Sequence, residues 1–132
     1  ALSIPSWESI ESGVAPRYIN EGSPDIKAQN VMEIAYPKVP VASIRELQKL
    51  MAETKGLLDR VTYPVMGFKS STDHVVPPEN TDFIMRQIRS AFKYVHVLPN
   101  SYHVATMDHD KDTICERSHS FIEQLAGSRV SI

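Results

Sequence analysis

Val61-Thr62-Tyr63-Pro64-Val65-Met66-Gly67-Phe68-Lys69, closed by Ser70-Ser71-Thr72-Asp73, and Lys93-Tyr94-Val95-His96-Val97-Leu98, closed by Pro99-Asn100, decide the fold. Each is a short apolar run that stops at a polar turn, the pattern of a buried strand. Between them Pro77-Pro78 marks a helix start, and Phe83, Ile84, Ile88, Ala91 and Phe92 supply its inner face. Upstream, Ser43-Ile44-Arg45-Glu46 has capping-box spacing, and Ile44, Leu47, Leu50, Met51, Leu57 and Leu58 form an apolar stripe. This predicts a helix over 43–58, weakened at Gly56. A last helix is predicted from the acidic stretch Asp110 to Asp112, which suits a positive helix N-terminus, to near Gly127. It is expected to bury Ile114, Cys115, Phe121, Ile122 and Leu125. Strand, helix, strand, helix is the order of right-handed βαβ units, so the fold class is α/β with parallel strands and covering helices.

In open parallel sheets, chemistry collects beyond the carboxyl ends of the strands. Asp73 follows the first strand and His103, in Asn100-Ser101-Tyr102-His103-Val104-Ala105-Thr106, follows the second. Both therefore belong to one edge of the sheet. A carboxylate and an imidazole so placed offer an orienting acid and a general base, which perform acyl transfer when a serine or cysteine is delivered to them. No Gly-x-Ser-x-Gly elbow occurs in the chain, so the nucleophile is not found here. Read singly, Asp73 is an ordinary turn residue and His103 a surface or core histidine; read together, in matching strand contexts, they form a pair. His74, beside the acid, and His96, alternating within a strand, are assigned structural roles.

Composition narrows the classes. The 132 residues, 42% hydrophobic and 23% charged, supply one modest core. A net charge of −2 with dispersed basic residues argues against a nucleic-acid partner. No run is long and apolar enough for a membrane span, and no signal peptide opens the chain, so a cytoplasmic location is expected. Cys115 is the single cysteine and excludes an internal disulfide. Asp108-His109-Asp110-Lys111-Asp112 begins like a calcium loop, but Thr113 replaces the required glycine and His119 the final glutamate. No metal and no cofactor is expected. Five of the nine prolines (Pro5, Pro16, Pro24, Pro37, Pro40) fall in residues 1–40, where no hydrophobic period is sustained.

The segments Asp73-His74-Val75-Val76-Pro77-Pro78 and Asn100 to Thr106 resemble the acid and histidine loops of α/β-hydrolase carboxylesterases, particularly bacterial monoacylglycerol lipases. Pro16-Arg17-Tyr18, Asp25-Ile26-Lys27, Glu33-Ile34-Ala35-Tyr36 with Pro40, and Leu47-Gln48-Lys49-Leu50-Met51 agree with the same family. The resemblance implies a C-terminal half of the fold. Residues 1–42 would be the end of a core strand, Ala1 to Ile4, followed by a cap, and residues 43–132 the C-terminal core segment. The serine and its oxyanion donors would belong to an N-terminal half absent from this chain.

By the same resemblance, Asp73 and His103 are the catalytic acid and base, and Glu33 contacts the glycerol head group of a monoacylglycerol or small ester substrate. Ile26, Tyr36, Val75, Val76 and Val104 would line the acyl pocket, with Ile34 turned toward it as well. The cap is expected to form short helices and loops, with Lys27 and Lys38 facing water. An uncovered sheet would expose Val61, Val65 and Phe68 or their neighbours, so the expected partners are the missing half or a second copy of the chain. The alternative reading is a non-catalytic folded fragment or self-associating module.

Overall fold

The structure, a computed structural model, describes residues 6–20 and 22–127. The expected strand end at Ala1 to Ile4 lies outside the described residues. Helix α1 (Trp7–Glu11) starts at Ser6, whose hydroxyl accepts from the Ser9 N–H. Strands β1 (Tyr18–Asn20) and β2 (Lys38–Pro40) pair antiparallel, with Ile19 opposite Val39. The proline-rich segment thus holds a small ribbon of its own beside the expected helix and loops. It does not join the main sheet. Ile10, Ile19 and Val41 form a buried cluster, and Ala15, Val39 and Ile44 pack against it.

Helix α2 (Val41–Lys55) begins two residues before the capping box at Ser43. The chain enters it directly from β2 through Pro40, and the Arg17 carbonyl accepts the Val41 N–H at 3.1 Å, so no side-chain cap is used. It also ends earlier than its apolar stripe suggests. Gly56 closes it, and Leu58 starts a separate single turn, Leu58–Arg60.

Strands β3 (Val65–Ser70) and β4 (Lys93–Leu98) pair in parallel, from Val65 opposite Lys93 to Ser70 opposite Leu98. The first strand starts at Val65 rather than Val61 because Pro64 has no N–H to give a ladder. The ladder opens where Val65 N–H meets the Phe92 carbonyl at 2.9 Å, and Val61 uses its carbonyl to accept from Arg89 instead. Helix α3 (Glu79–Gln87) makes the crossover. It stops before Ile88, which is extended and buried, so Ala91 and Phe92 lie in the connection to β4 and are exposed rather than on a helix face. Lys93 Nζ satisfies the freed carbonyls of Met85 and Ile88 at 2.8 and 3.2 Å, a cation at a helix C-terminus.

Gly67 lets α3 approach β3 closely, since a Cβ built there would lie 2.5 Å from Met85 Cε. Lys69 Nζ then reaches Asp82 on α3 at 2.9 Å. Helix α4 (Lys111–Gly127) packs Phe121 edge-on against Tyr94 of β4, with centroids 6.2 Å apart. Ile114, Phe121 and Leu125 are half-buried, but Cys115 and Ile122 are exposed. The helix therefore presents a narrower apolar face than the sequence pattern implied.

Candidate active site

The parallel ladder runs one step past the strands, where the Ser71 N–H donates to the Leu98 carbonyl at 3.0 Å. Two loops leave together from this point. Ser70, at the end of β3, donates its hydroxyl to the Tyr102 carbonyl at 2.6 Å, so the loop after β4 is tied to the end of β3. Asp73 lies three residues beyond Ser70, and His103 one residue beyond Tyr102.

The two oxygens of Asp73 divide their work. Oδ1 accepts the N–H groups of Val75 and Val76 at 2.9 and 2.8 Å, which closes the turn on its own carboxylate. Oδ2 lies 3.0 Å from His103 Nδ1. Burial pushes the Asp73 carboxyl up, but hydrogen bonds from Val76, His103 and Val75 outweigh it and hold the group below the usual carboxylate range. An ionised Asp73 keeps the imidazole proton on Nδ1 and leaves Nε2 as the basic nitrogen.

A second carboxylate crosses in from the proline-rich segment. Asp25 Oδ1 lies 2.8 Å from His74 Nδ1, and its Oδ2 accepts the N–H groups of both His74 and His103 at 3.1 Å. Burial raises the Asp25 carboxyl, and the bonds from the His74 ring, the His74 N–H and the His103 N–H lower it by more. The Asp25 carbonyl also accepts the Val104 N–H at 3.2 Å. Tyr102 meets the His74 ring edge-on at 4.7 Å.

Asp108 is buried and anchors the adjoining residues. Its oxygens accept Lys27 N–H at 2.7 Å, Ala28 N–H at 2.9 Å, Tyr102 N–H at 2.9 Å and His109 N–H at 2.8 Å. Burial raises its carboxyl as well, and these four amides hold it lower than usual. Asp110 Oδ2 accepts from Asn100 N–H and Ser101 Oγ, both at 2.9 Å. Both oxygens of Asp108 and Oδ2 of Asp110, in the stretch that begins like a calcium loop, thus order the backbone around the histidine.

Asp25 and Asp108 were not singled out by sequence reasoning as parts of this site. Asp25 follows Pro24 in a stretch without period, and its partners lie 49 and 78 residues further on. No local signal marks such a pairing.

An open cavity of about 870 Å³ lies against these loops. Glu33, Tyr36, Val75 and Val104 line it together with His103, and Phe68 is part of its wall. Val76 lines a smaller neighbouring cavity of about 220 Å³ with Asp73 and His103. Ile26 lines neither: it is half-buried between Asp25 and the amides of Lys27 and Ala28, all of which are tied to the core loops. Ile34 is fully exposed, and Met32 and Ala35 of the same segment take the cavity wall instead. Tyr36 lines the cavity from an open rim and is itself 86% exposed. Lys38 is exposed as expected, whereas Lys27, also exposed, holds its ammonium 5.9 Å from the Tyr102 ring centre.

Comparison with known proteins places these features in a family. Residues 5–110 match the model of the family described as serine aminopeptidase, S33. The chain is 48% identical over 129 residues to a thermostable monoacylglycerol lipase of Bacillus sp. (strain H-257), covering 96% of this chain and 52% of the lipase. It is 24% identical over 90 residues to a carboxylesterase of Bacillus subtilis (strain 168), covering 68% of this chain and 37% of the esterase. Among solved structures, one from work on LipS and LipT, two metagenome-derived lipolytic enzymes, superposes with a TM-score of 0.84 at 42% identity, covering 94% of this chain and 52% of that one. The monoacylglycerol lipase of Paleococcus ferrophilus shares the fold with a TM-score of 0.67 at 12% identity, covering 96% of this chain and 54% of its own. The chain spans about half the length of the Bacillus monoacylglycerol lipase and of the two solved lipolytic structures, and that half is C-terminal in the Bacillus lipase. This chain belongs to the serine aminopeptidase, S33 family, and its parallel strands and helices are the later part of the α/β-hydrolase fold seen in lipolytic enzymes.

Proposed function

We propose that this chain supplies the acid and base of a serine-type carboxylic ester hydrolase, with the nucleophilic serine in the part of the fold that precedes the matched half in its relatives. The observation that carries this reading is the 3.0 Å contact between Asp73 and His103, made beyond the carboxyl ends of adjacent parallel strands and beside a cavity that His103 lines. His103 Nε2 takes the proton from the serine hydroxyl as Oγ attacks the ester carbonyl carbon. It then passes that proton to the alcohol oxygen as the C–O bond breaks. Water, deprotonated by the same nitrogen, attacks the acyl-enzyme, and the returning proton regenerates the serine. Asp73 stays ionised throughout and stabilises the imidazolium.

Monoacylglycerols and esters of short to medium acyl chains are the proposed substrates. Apolar groups on Phe68, Val75 and Val104 suit an acyl chain, and Glu33 on the same wall suits the hydroxyls of a glycerol head group. The identity to a monoacylglycerol lipase supports this class.

The test is an ester hydrolysis assay on this chain joined to, or co-expressed with, its N-terminal complement, with the isolated chain beside it. H103A and D73N in the complete enzyme are expected to lower kcat by about 10³- to 10⁴-fold. Ester turnover by the isolated chain, or wild-type kcat in H103A, would overturn the proposal. The isolated chain's lack of turnover would be shared with the reading as a non-catalytic module, and the H103A result on the complete enzyme separates the two.

A further inference from the structure

We infer that Asp25 is a positioning residue: it clamps the loop after β3 to the loop after β4 and so keeps Asp73 and His103 aligned. The inference rests on the reading of those two residues as acid and base. Beyond the last ladder bond, the core itself joins the loops through the Ser70 hydroxyl, the His74–Tyr102 ring contact and the Asp73–His103 pair. Of these links only the Asp73–His103 pair reaches residue 103 itself, and a catalytic pair that also had to fix that residue would lose its alignment whenever His103 moved to transfer a proton. Asp25 supplies an independent link. One of its oxygens accepts two amides, one from the residue next to Asp73 and the other from His103 itself. The other oxygen meets the His74 ring.

The clamp has the chemistry and the support it needs. Hydrogen bonds to an ionised carboxylate are roughly twice as strong as those between neutral groups. Asp25 belongs to a segment that is itself hydrogen-bonded to the core: its carbonyl accepts the Val104 N–H, and the amides of Lys27 and Ala28 donate to buried Asp108. Asp25 also lines the cavity, so contact with substrate is the competing role. Its side chain is 14% exposed and both oxygens already have partners, which favours positioning.

The test uses the complete enzyme and three substitutions. D25A removes the acceptor for both amides and is expected to lower kcat about 10²-fold with KM nearly unchanged, the scale of a misplacement of about 1 Å at a reacting group. D25N keeps an oxygen for the two amides and is expected to recover kcat to within about 10-fold of wild type. H74A removes only the ring contact, leaves the residue 74 amide in place, and is expected to remain within about 5-fold. Hydrogen exchange gives a readout independent of turnover: the amides of residues 74 and 103 are expected to be protected in wild type and to lose protection in D25A.

Wild-type kcat in folded D25A, a rise in KM with unchanged kcat, or a loss in H74A as deep as in D25A would each overturn the inference. Should D25A not fold, unprotected amides at residues 74 and 103 in the wild-type enzyme would overturn it equally. H103A run in parallel keeps the two readings apart. An active H103A sinks the acid–base assignment, whereas an inactive H103A with a fully active D25A sinks only the clamp.

Discussion

The hydroxyl of Ser70 donates to the carbonyl of Tyr102 at 2.6 Å, and Ser70 is buried while it does so. This short bond joins the last residue of β3 to the residue just before His103. It sets the height of the histidine loop above the sheet.

S70A should therefore leave the Tyr102 carbonyl short of a donor and cost about 1–2 kcal/mol of stability. Denaturant unfolding measures the cost. In the complete enzyme, the same substitution is expected to lower kcat less than H103A does, because the carboxylate contacts around the loop persist. An unchanged unfolding midpoint would show that the bond contributes nothing to stability.

Acid should unfold the site through its carboxylates. Asp25, Asp73 and Asp108 all have lowered folded-state values, so each contributes stability that is fully present well above the unfolded carboxylate value of about 3.9. Between the lowered folded value and that unfolded value, the unfolded chain binds more protons. Stability therefore falls as pH drops through this window and is lost once the folded-state carboxyls protonate. D108N removes one of these titrating groups. It should be less stable at neutral pH and lose less on going from pH 5 to pH 3, as read from urea midpoints on both proteins. A slope equal to that of wild type would exclude Asp108 as a source of the acid sensitivity.

At Gly67 the obstacle to a side chain is the end of Met85, a flexible group, and not backbone. G67A is expected to cost about 1 kcal/mol or less, since Met can move aside and alanine reduces the unfolded chain's freedom. G67L must push α3 off the sheet and should cost about 1–3 kcal/mol. Thermal unfolding of the two variants distinguishes a movable obstacle from a rigid one, for which both would fail alike.

The expected exposure falls on neighbouring residues, with Tyr63, Val95 and Val97 exposed. Val61, Val65 and Phe68 are half-buried, while Leu47, Leu50 and Met51 on α2 and Tyr94 on β4 are each more than half exposed. Exposed apolar groups in such number favour association. The isolated chain is expected to scatter light as an oligomer, and L50K with M51K to shift it toward monomer. A monodisperse wild-type chain would mean that these side chains need no cover.

From residue 43 onward the order of strands and helices was legible in the sequence, as were the bounds of β4, the span of α4 and the positions of Asp73 and His103 just past two strand ends, whereas the β1–β2 ribbon was not. All of these depend on local signals: an apolar run, a turn that ends it, a proline or acidic residue at a helix start. Local reading was less sure where a neighbour far along the chain supplied the hydrogen bond, as at the start of α2, where Arg17 serves Val41. The tertiary structure alone decided the rest. It brought Asp25 to His74 and His103, gave Asp108 to amides 80 and 81 residues away, put Val76 on a smaller cavity and left Ile26 off both. The physical reason is that a loop carboxylate has the same local pattern whether it bonds its own turn, as Asp73 does to Val75 and Val76, or amides elsewhere in the chain. Only packing of the proline-rich segment onto the sheet edge determines which donors it meets.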